Sequence, residues 1–249
     1  MSVTVSVDDL STLITAARIT ASTKAEDGPM SAVLLTSHRA DDDSGAGQSS
    51  VLVATTTDGI HASQCQIDAE GEFPAPVLLS LSSTGWMISM ASAMAKLAGS
   101  RDSVKQVMLD VTGSESPRLK LTVLVDGDPS GTVDDPTSLL DASTFPMRDA
   151  VMFLGESESK SKGEVRFTAA SLGILTKIAK SFGDVSTFAP AAQGAPVVVT
   201  AGGRYRSSLS TDEHSVDETV SVPDRPVIAL PADEADAAEG EDTPDDDAE

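Results

Sequence analysis

The chain has 249 residues, of which 39 are acidic and 17 basic, and its formal net charge is -22. A chain of this length can bury a hydrophobic core without disulfides or structural metal ions. The single cysteine excludes an intramolecular disulfide, and with three scattered histidines it leaves no recognisable zinc site. We therefore expect no metal or cofactor. The sequence has no run of about 18 apolar residues and no basic signal-peptide start, so we expect a cytoplasmic protein without a membrane segment.

The first predicted elements are a strand and a helix near the N-terminus. Residues 3–19 (VTVSVDDLSTLITAARI) alternate in polarity and then change to helical spacing. Residues 165–181 (VRFTAASLGILTKIAKS) repeat this pattern at a constant offset of 162, with Leu172 in the place of Leu10. A weaker copy lies at an offset of 76, with Trp86 in the place of Leu10. The chain is therefore predicted to contain internal repeats.

Paired strand-like segments follow each of the three predicted helices. They are rich in β-branched residues and are separated by turn-forming residues. In chain order they cover residues 32–36 and 51–67, then 104–111 and 119–125, and finally 197–200 and 204–209. The repeating unit is therefore predicted as strand, helix, strand, strand. Helices on one face of antiparallel sheets indicate an α+β fold.

Each predicted helix has an apolar stripe that we expect to lie in the core. The stripes consist of Leu10, Leu13, Ile14 and Ala17 in the first helix, Trp86, Met87, Met90, Met94 and Leu97 in the second, and Leu172, Leu175, Ile178, Ala179 and Phe182 in the third. The opposite faces carry hydroxyls, glycine and basic residues, and we expect no acid on them.

The helical segments are also where basic residues concentrate. Residues 10–25, 84–101 and 165–183 hold seven of the 17 bases and none of the 39 acids. Because glutamate is common on exposed helix faces, its absence indicates that these faces meet a negatively charged ligand. The alternative is that the helix dipole favours bases near helix C-termini without any ligand. The candidate ligand-binding residues are Arg18, Lys24, Lys96, Arg101, Lys177 and Lys180.

Composition divides the chain into two predicted domains and a tail. Residues 1–126 contain two repeats, and residues 140–230 contain the third in an abbreviated domain. Residues 127–139 are rich in proline, glycine and aspartate and are predicted to be the linker. Residues 231–249 hold ten acids and no base, so we expect a disordered acidic tail. Loops are also expected over residues 40–50 and 155–163.

These repeats resemble those of DNA sliding clamps, in particular the bacterial polymerase III β type and its phage-encoded relatives. Residues 51–60 (VLVATTTDGI) resemble the clamp strand that ends in Thr-x-Asp, and Phe145 with Pro146 resembles the segment between clamp domains. Residues 165–182 resemble the strand and helix that open a clamp domain, and residues 196–209 resemble its closing strands. No single motif is diagnostic, because a clamp needs a shape and a charge pattern rather than catalytic atoms.

The resemblance implies a closed homo-oligomeric ring, with sheets outside and helices lining a hole for double-stranded DNA. It also implies sequence-independent phosphate contacts and binding of DNA polymerase and the clamp loader through short peptides. An apolar patch, which an ordinary buried strand would also explain, is predicted for those peptides at Val151, Met152, Phe153 and Leu154. Because the second domain has only one clear helix, the sequence does not decide between a ring of two, three or four chains and a monomeric clamp-like protein. The location implied is the cytoplasm of a bacterium or of a phage host.

The sequence lacks the common motifs for chemistry. No glycine-rich phosphate loop occurs, the histidines are isolated, and the acids at 41–43 lack the spacing of a calcium-binding loop. No nucleophile has a base and an orienting group at a recognisable spacing, so we predict that the protein is not an enzyme. The alternative functions are an acidic DNA mimic, which predicts acids along the helix faces, and a structural phage protein.

Overall fold

The computed structural model describes residues 2–40, 49–98, 100, 102–147, 150, 154, 159–162, 165–190, 196–209, 213–214 and 218–221. Its main α-helices are α1 (Val7–Ala17), α2 (Leu81–Leu97) and α3 (Ala169–Phe182), and short 3₁₀ helices cover Ala25–Ser31 and Ala142–Thr144. The tail predicted over residues 231–249 lies outside the described residues. Within the described ranges, no helix is long and apolar enough to cross a membrane.

The strands pair antiparallel throughout the described part of the chain, so the predicted α+β fold is confirmed. The first eight are β1 (Ser2–Ser6), β2 (Ala32–Ala40), β3 (Ser49–Thr57), β4 (Ala62–Gly71), β5 (Val77–Ser80), β6 (Lys105–Thr112), β7 (Arg118–Val125) and β8 (Asp128–Ser138). The others are β9 (Ser159–Lys162), β10 (Val165–Arg166), β11 (Val185–Pro190), β12 (Val197–Ala201), β13 (Tyr205–Leu209), β14 (Glu213–His214) and β15 (Glu218–Ser221).

The repeating unit has three strands after its helix, so the predicted unit with two strands is wrong. The run 51–67, predicted as one segment, is the hairpin of β3 and β4 with a tight turn from Asp58 to His61. The third repeat likewise includes β11, which precedes the two predicted strands. A short turn inside a β-branched run hardly changes the local composition, so the number of strands per repeat was underestimated.

Residues 127–139 do not form the irregular linker that their composition predicted. Residues 128–138 form β8, which pairs with β7 and ends the second repeat. Its two prolines, Pro129 and Pro136, are tolerated because β8 lies at the end of the strand order and pairs on one side. The predicted loop 155–163 also contains a strand, β9, at its end. The domain boundaries at 126 and 140 stay a prediction.

The first strands of the first two repeats are exchanged. β1 pairs with β6 of the second repeat, and β5 pairs with β2 of the first. The two resulting sheets, β5-β2-β3-β4 and β1-β6-β7-β8, join where β4 also pairs with β1. At this crossing Gly71 has a positive φ of 81°, and a Cβ there would overlap the Ser2 carbonyl oxygen, so glycine is required.

A Ser or Thr hydroxyl caps each main helix at its N-terminus. Ser6, Ser80 and Thr168 accept hydrogen bonds from the backbone N–H of the third helical residue, at 3.0, 3.1 and 3.0 Å. Ser6 and Thr168 lie 162 residues apart, as predicted. Ser80 lies 74 residues after Ser6, so the predicted offset of 76 for the weaker copy is wrong by two residues.

Three predicted core residues, Leu97, Leu172 and Ala179, are exposed instead. The residues of α2 buried against the sheets are Ser83, Thr84, Met87, Ala91 and Ala95. Leu97, in the last turn of α2, is 89% exposed, and Leu172, in the first turn of α3, is 51% exposed. The α2 error follows from the wrong offset, because aligning Trp86 with Leu10 rotated the predicted stripe away from the small residues that are buried.

One core cluster joins all three helices to the sheets. Leu10, Leu13 and Ile14 of α1 pack with Met87 of α2 and Ile178 of α3 on one face of the strands, which we call the helix face. The predicted stripe of α1 is fully buried, so its assignment is confirmed. The helices therefore form a single layer on the sheets.

A second, smaller cluster lies on the opposite face of the first sheet. There Phe145 and Met147 pack on alternate residues of β2 and β5, together with Ala150 and Leu154. Met147, Ala150 and Leu154 are helical, and the Ala150 N–H donates to the Pro146 carbonyl oxygen, so the buried strand offered as an explanation of the apolar patch is wrong at Leu154. A short apolar run does not distinguish a buried strand from a buried helix, which explains the error. Residues 151–153 lie outside the described part of the chain.

The cap of α2 offers a test of the register between the first two repeats. Ser80→Ala should lower the free energy of unfolding by about 1 kcal/mol, because the Ser83 N–H loses its acceptor. Ser82→Ala, at the position that an offset of 76 would make the cap, should change it by less than about 0.5 kcal/mol. Urea unfolding of both variants measures the difference, and a larger decrease for Ser82→Ala would contradict the offset of 74.

Candidate nucleic-acid interface

The strand pairing brings α1 and α3 together although they are far apart in sequence. Residues 62–65 of β4 pair with residues 205–208 of β13, so the sheet continues from the first repeats into the third. As a result α1 contacts α2 on one side and α3 on the other. The C-terminal part of α1 faces the C-terminal half of α3 across an open groove of about 390 Å³.

Three of the predicted bases line this groove. They are Arg18 at the end of α1 and Lys177 and Lys180 on α3, and all three are exposed. The remaining lining residues are Thr15, Ile19 and Ser181. The described part of the chain places no carboxylate within salt-bridge distance of these bases. The groove therefore presents three positive charges that are free to bind an anion, together with the Thr15 hydroxyl. The Ser181 hydroxyl donates to the Lys177 carbonyl oxygen at 3.1 Å.

Arg18 occupies the middle of the helix layer. It is the C-cap of α1, and its backbone N–H bonds the carbonyl oxygens of the last turn. Its Nη1 lies beside Gly85 of α2, where an ideal Cβ would approach it to 3.6 Å. The guanidinium therefore lies within van der Waals reach of α2 as well as beside the groove that α3 lines.

The other predicted bases lie elsewhere. Lys96 is exposed in the last turn of α2 and does not line the groove. Lys24 is exposed just before the 3₁₀ helix that follows α1. Arg101 lies outside the described residues. Three of the six predicted residues therefore converge on one groove, which the sequence did not predict, and their contact with DNA stays a prediction.

The prediction that the helices carry no acid needs a correction for α1. This helix begins at Val7, so Asp8 and Asp9 lie in its first turn, where the helix dipole favours acids. After that turn α1 has no acid, and α2 and α3 have none along their whole length. The groove end of α1 is therefore free of negative charge.

A buried group of hydroxyls anchors the end of α1. Thr20 bonds Thr56 at 2.7 Å and Ser63 at 2.5 Å, and Thr56 also bonds Ser63 at 3.0 Å. The Thr56 hydroxyl donates to the Ala17 carbonyl oxygen at 2.8 Å. The three hydroxyl residues are at most 2% exposed. The sequence analysis missed this cluster, because its members come from three separate elements.

The junction between β4 and β13 is tied at its surface as well. Arg204, in the turn before β13, bonds Asp9 at 3.2 Å and Asp68 at 3.3 Å. Beneath it, Cys65 is 1% exposed, and burial raises the pKa of its thiol to about 12. Cys65 is thus a buried core residue.

A third contact across the junction joins the β3–β4 turn to the start of α3. The ring of the buried His61 lies 2.9 Å from the Asp58 carboxylate and 3.5 Å from the Ser171 hydroxyl. Partial burial alone would raise the pKa of Asp58, but hydrogen bonds from the His61 ring and from the backbone N–H groups of His61 and Ile60 lower it overall. The order Asp, His, Ser resembles a hydrolase triad, but Ser171 is fully buried and no substrate can reach it.

Solved structures with this architecture are bacterial sliding clamps. The C. crescentus β sliding clamp superposes with a TM-score of 0.56 at 11% identity, over 87% of this chain and 66% of that chain. The DNA polymerase III β subunit of Thermotoga maritima gives 0.55 at 9% identity, over 84% and 64% of the two chains. A putative DNA polymerase III β subunit from Eubacterium rectale gives 0.54 at 11% identity, over 85% and 65%.

The chain has the sliding-clamp fold, so the fold expected from the sequence resemblance is confirmed. It spans just under two thirds of the length of these clamps. No protein-family model and no curated protein matches the sequence. The fold therefore emerges from the structure, at an identity where sequence comparison finds nothing.

Proposed function

We propose that this protein is a DNA sliding clamp, a processivity factor that encircles double-stranded DNA and tethers replication proteins to it. The observation that carries the proposal is the groove between α1 and α3, where Arg18, Lys177 and Lys180 converge on the helix face of a clamp fold. In this role the protein positions other proteins and catalyses no reaction.

Charge placement supports DNA as the partner. A chain with a net charge of -22 repels phosphates in general, so binding requires a local surface from which acids are absent. The groove provides such a surface, and its Arg, Lys and hydroxyl donors suit phosphate oxygens. Phosphate contacts carry no sequence information, so we propose binding without sequence specificity. Lys24 and Lys96, which lie outside the groove, are proposed as further contacts, and so is Arg101.

The two alternative explanations fit the structure less well. The helix dipole accounts for a base at the end of each helix, but it does not account for bases from two helices meeting without a carboxylate between them. An acidic DNA mimic requires acids along the helix faces, and α2 and α3 have none. We therefore retain the clamp proposal over the mimic.

Charge reversal in the groove tests the DNA contact. The triple variant Arg18→Glu, Lys177→Glu, Lys180→Glu should abolish retention on circular duplex DNA. The removal of each phosphate contact should also flatten the log-log salt dependence of duplex binding by about 0.9. Folding should persist, because exposed substitutions usually change the free energy of unfolding by less than about 0.5 kcal/mol each.

A control variant reverses the charge of three bases that lie on strands, so that its net charge changes by the same amount. Arg118→Glu on β7 with Lys160→Glu and Lys162→Glu on β9 also reverses one Arg and two Lys, but outside the helices. Retention on DNA should largely survive in this variant. If both triple variants release DNA equally, net charge alone matters and the groove is not the binding surface.

Ring closure is proposed to use the free ends of the strand order. The main sheet ends in β8 at one side and β15 at the other, and exposed edges invite pairing with another chain. Pro129 and Pro136 remove backbone donors near the ends of β8, so pairing should use the residues between them. A closed homo-oligomer would leave neither edge exposed.

Mass in solution tests this assembly. Light scattering at micromolar concentration should show a single mass that is an integer multiple, twice or more, of the chain mass. Ser130→Pro should weaken assembly, because it removes an edge N–H at a residue that has no β7 partner, whereas Ser130→Ala keeps the N–H and should assemble normally. A monomeric mass for the unchanged protein at tens of micromolar would refute the ring.

Short peptides of DNA polymerase and the clamp loader are the proposed protein partners. The predicted patch is unsuitable at its described residue, because Leu154 is fully buried in the second cluster. Two exposed apolar side chains lie near the junction of β4 and β13, Ile60 (60%) and Leu172 (51%). They adjoin His61 and Ser171, which are in contact, so both lie at the same junction. We propose that a peptide places its apolar anchors there.

Two exposed leucines allow a matched test of this surface. Leu172→Asp should weaken binding of a synthetic peptide with the apolar anchors of a bacterial replicative polymerase at least about tenfold, because a charge would face an apolar anchor. Leu97→Asp makes the same change at the end of α2 and should leave affinity unaltered. Calorimetry gives both affinities. An unaltered affinity for folded Leu172→Asp would place the peptide elsewhere.

A further inference from the structure

The position of Arg18 in the groove depends on its backbone. In the described part of the chain its guanidinium has no hydrogen bond or ion pair to hold it. Arg18 is also the residue at which α1 ends, and helix ends fray unless their free carbonyls find partners. Whatever holds the chain on both sides of Arg18 therefore determines where its charge lies.

Buried hydroxyls hold both sides. The Ala17 carbonyl, just before Arg18, accepts from the Thr56 hydroxyl at 2.8 Å. Thr20, two residues after Arg18, bonds Thr56 at 2.7 Å and Ser63 at 2.5 Å. Because Thr56 and Thr20 are fully or almost fully buried, water does not compete for these bonds.

The same hydroxyls lie on the strands that fix α3. Thr56 of β3 is paired directly with Ser63 of β4. Ser63 in turn is paired with Ser207 of β13, in the repeat that contains α3. One line of paired residues thus runs from the end of α1 to the sheet beneath α3, and it sets the separation of the two groove walls.

From this geometry we infer that Thr56 is a positioning residue: its hydroxyl, acting through Ala17 and Thr20, holds Arg18 in the groove where it contacts a DNA phosphate. The inference rests on the proposed function, since it assigns how one contact of that function is placed. Thr56 itself is buried and touches no ligand.

The test compares Thr56→Val, which has the same shape without the hydroxyl, with Thr56→Ser, which keeps the hydroxyl. Binding to a mixed-sequence duplex is measured by fluorescence anisotropy over a range of KCl concentrations. Thr56→Val should flatten the log-log salt slope by about 0.9, as the removal of one phosphate contact does, and Thr56→Ser should restore it. An unchanged slope in folded Thr56→Val would overturn the inference.

A double-mutant cycle separates positioning from a general decrease in stability. In an Arg18→Gln background, Thr56→Val should flatten the slope no further, because the contact it positions is already gone. In a Lys96→Gln background, where the lysine lies outside the groove, it should flatten the slope as much as in the unchanged protein. Equal effects in both backgrounds would overturn the inference.

Two further comparisons keep the test decisive. If Thr56→Val does not fold, Thr20→Val removes the hydroxyl contact on the other side of Arg18 and should give the same cycle. Additive effects of Thr20→Val and Arg18→Gln would overturn the inference.

If Arg18→Gln alone leaves the slope unchanged, the proposed DNA contact of the groove fails with it. If Arg18→Gln flattens the slope and the hydroxyl variants do not, only the positioning role fails.

Discussion

The pairing of β4 with β13 is the interaction on which the rest of this structure depends. One edge of β4 is divided between two partners, with residues 62–65 bonded to β13 and its last residues to β1. This division joins all three repeats in one sheet and places their helices on the same face. Without it α1 and α3, more than 150 residues apart, would have no reason to share a groove.

The sheet brings basic residues from two helices together, although the chain has few of them. Only 17 of 249 residues are basic, and a uniform distribution among 39 acids would leave no surface attractive to phosphates. The absence of acids from α2, α3 and the end of α1 leaves the groove bases without neighbouring carboxylates on these helices. Under the proposed function, this arrangement suits a mobile contact with DNA that a ring surrounds, rather than adhesion to any DNA.

Sequence periodicity predicted the parts of the fold that local physics determines. The strand and helix of residues 2–17 and their copy 162 residues later follow from alternation, helical spacing and a hydroxyl cap. The predicted register of α2 was wrong because that helix buries Ser83, Thr84 and alanines, which carry little hydrophobic signal. The strand β8 was not predicted because its prolines and glycine indicated a linker, although such residues also occur in edge strands.

The candidate site was predictable only in part, for a related reason. The missing acids drew attention to Arg18, Lys177 and Lys180, which line the groove, because that signal lies within each helix. Their convergence depends on tertiary pairing. The hydroxyl contacts of Thr20 span 36 and 43 residues, so no local pattern reveals them.

Electron cryomicroscopy of the protein assembled on a circular duplex would show whether the helix layer surrounds DNA. We expect closed particles in which DNA passes through a hole lined by α1, α2 and α3, with Arg18, Lys177 and Lys180 nearest the phosphates. Particles that bind DNA on their outer, strand-covered surface, or that never close around it, would contradict the account.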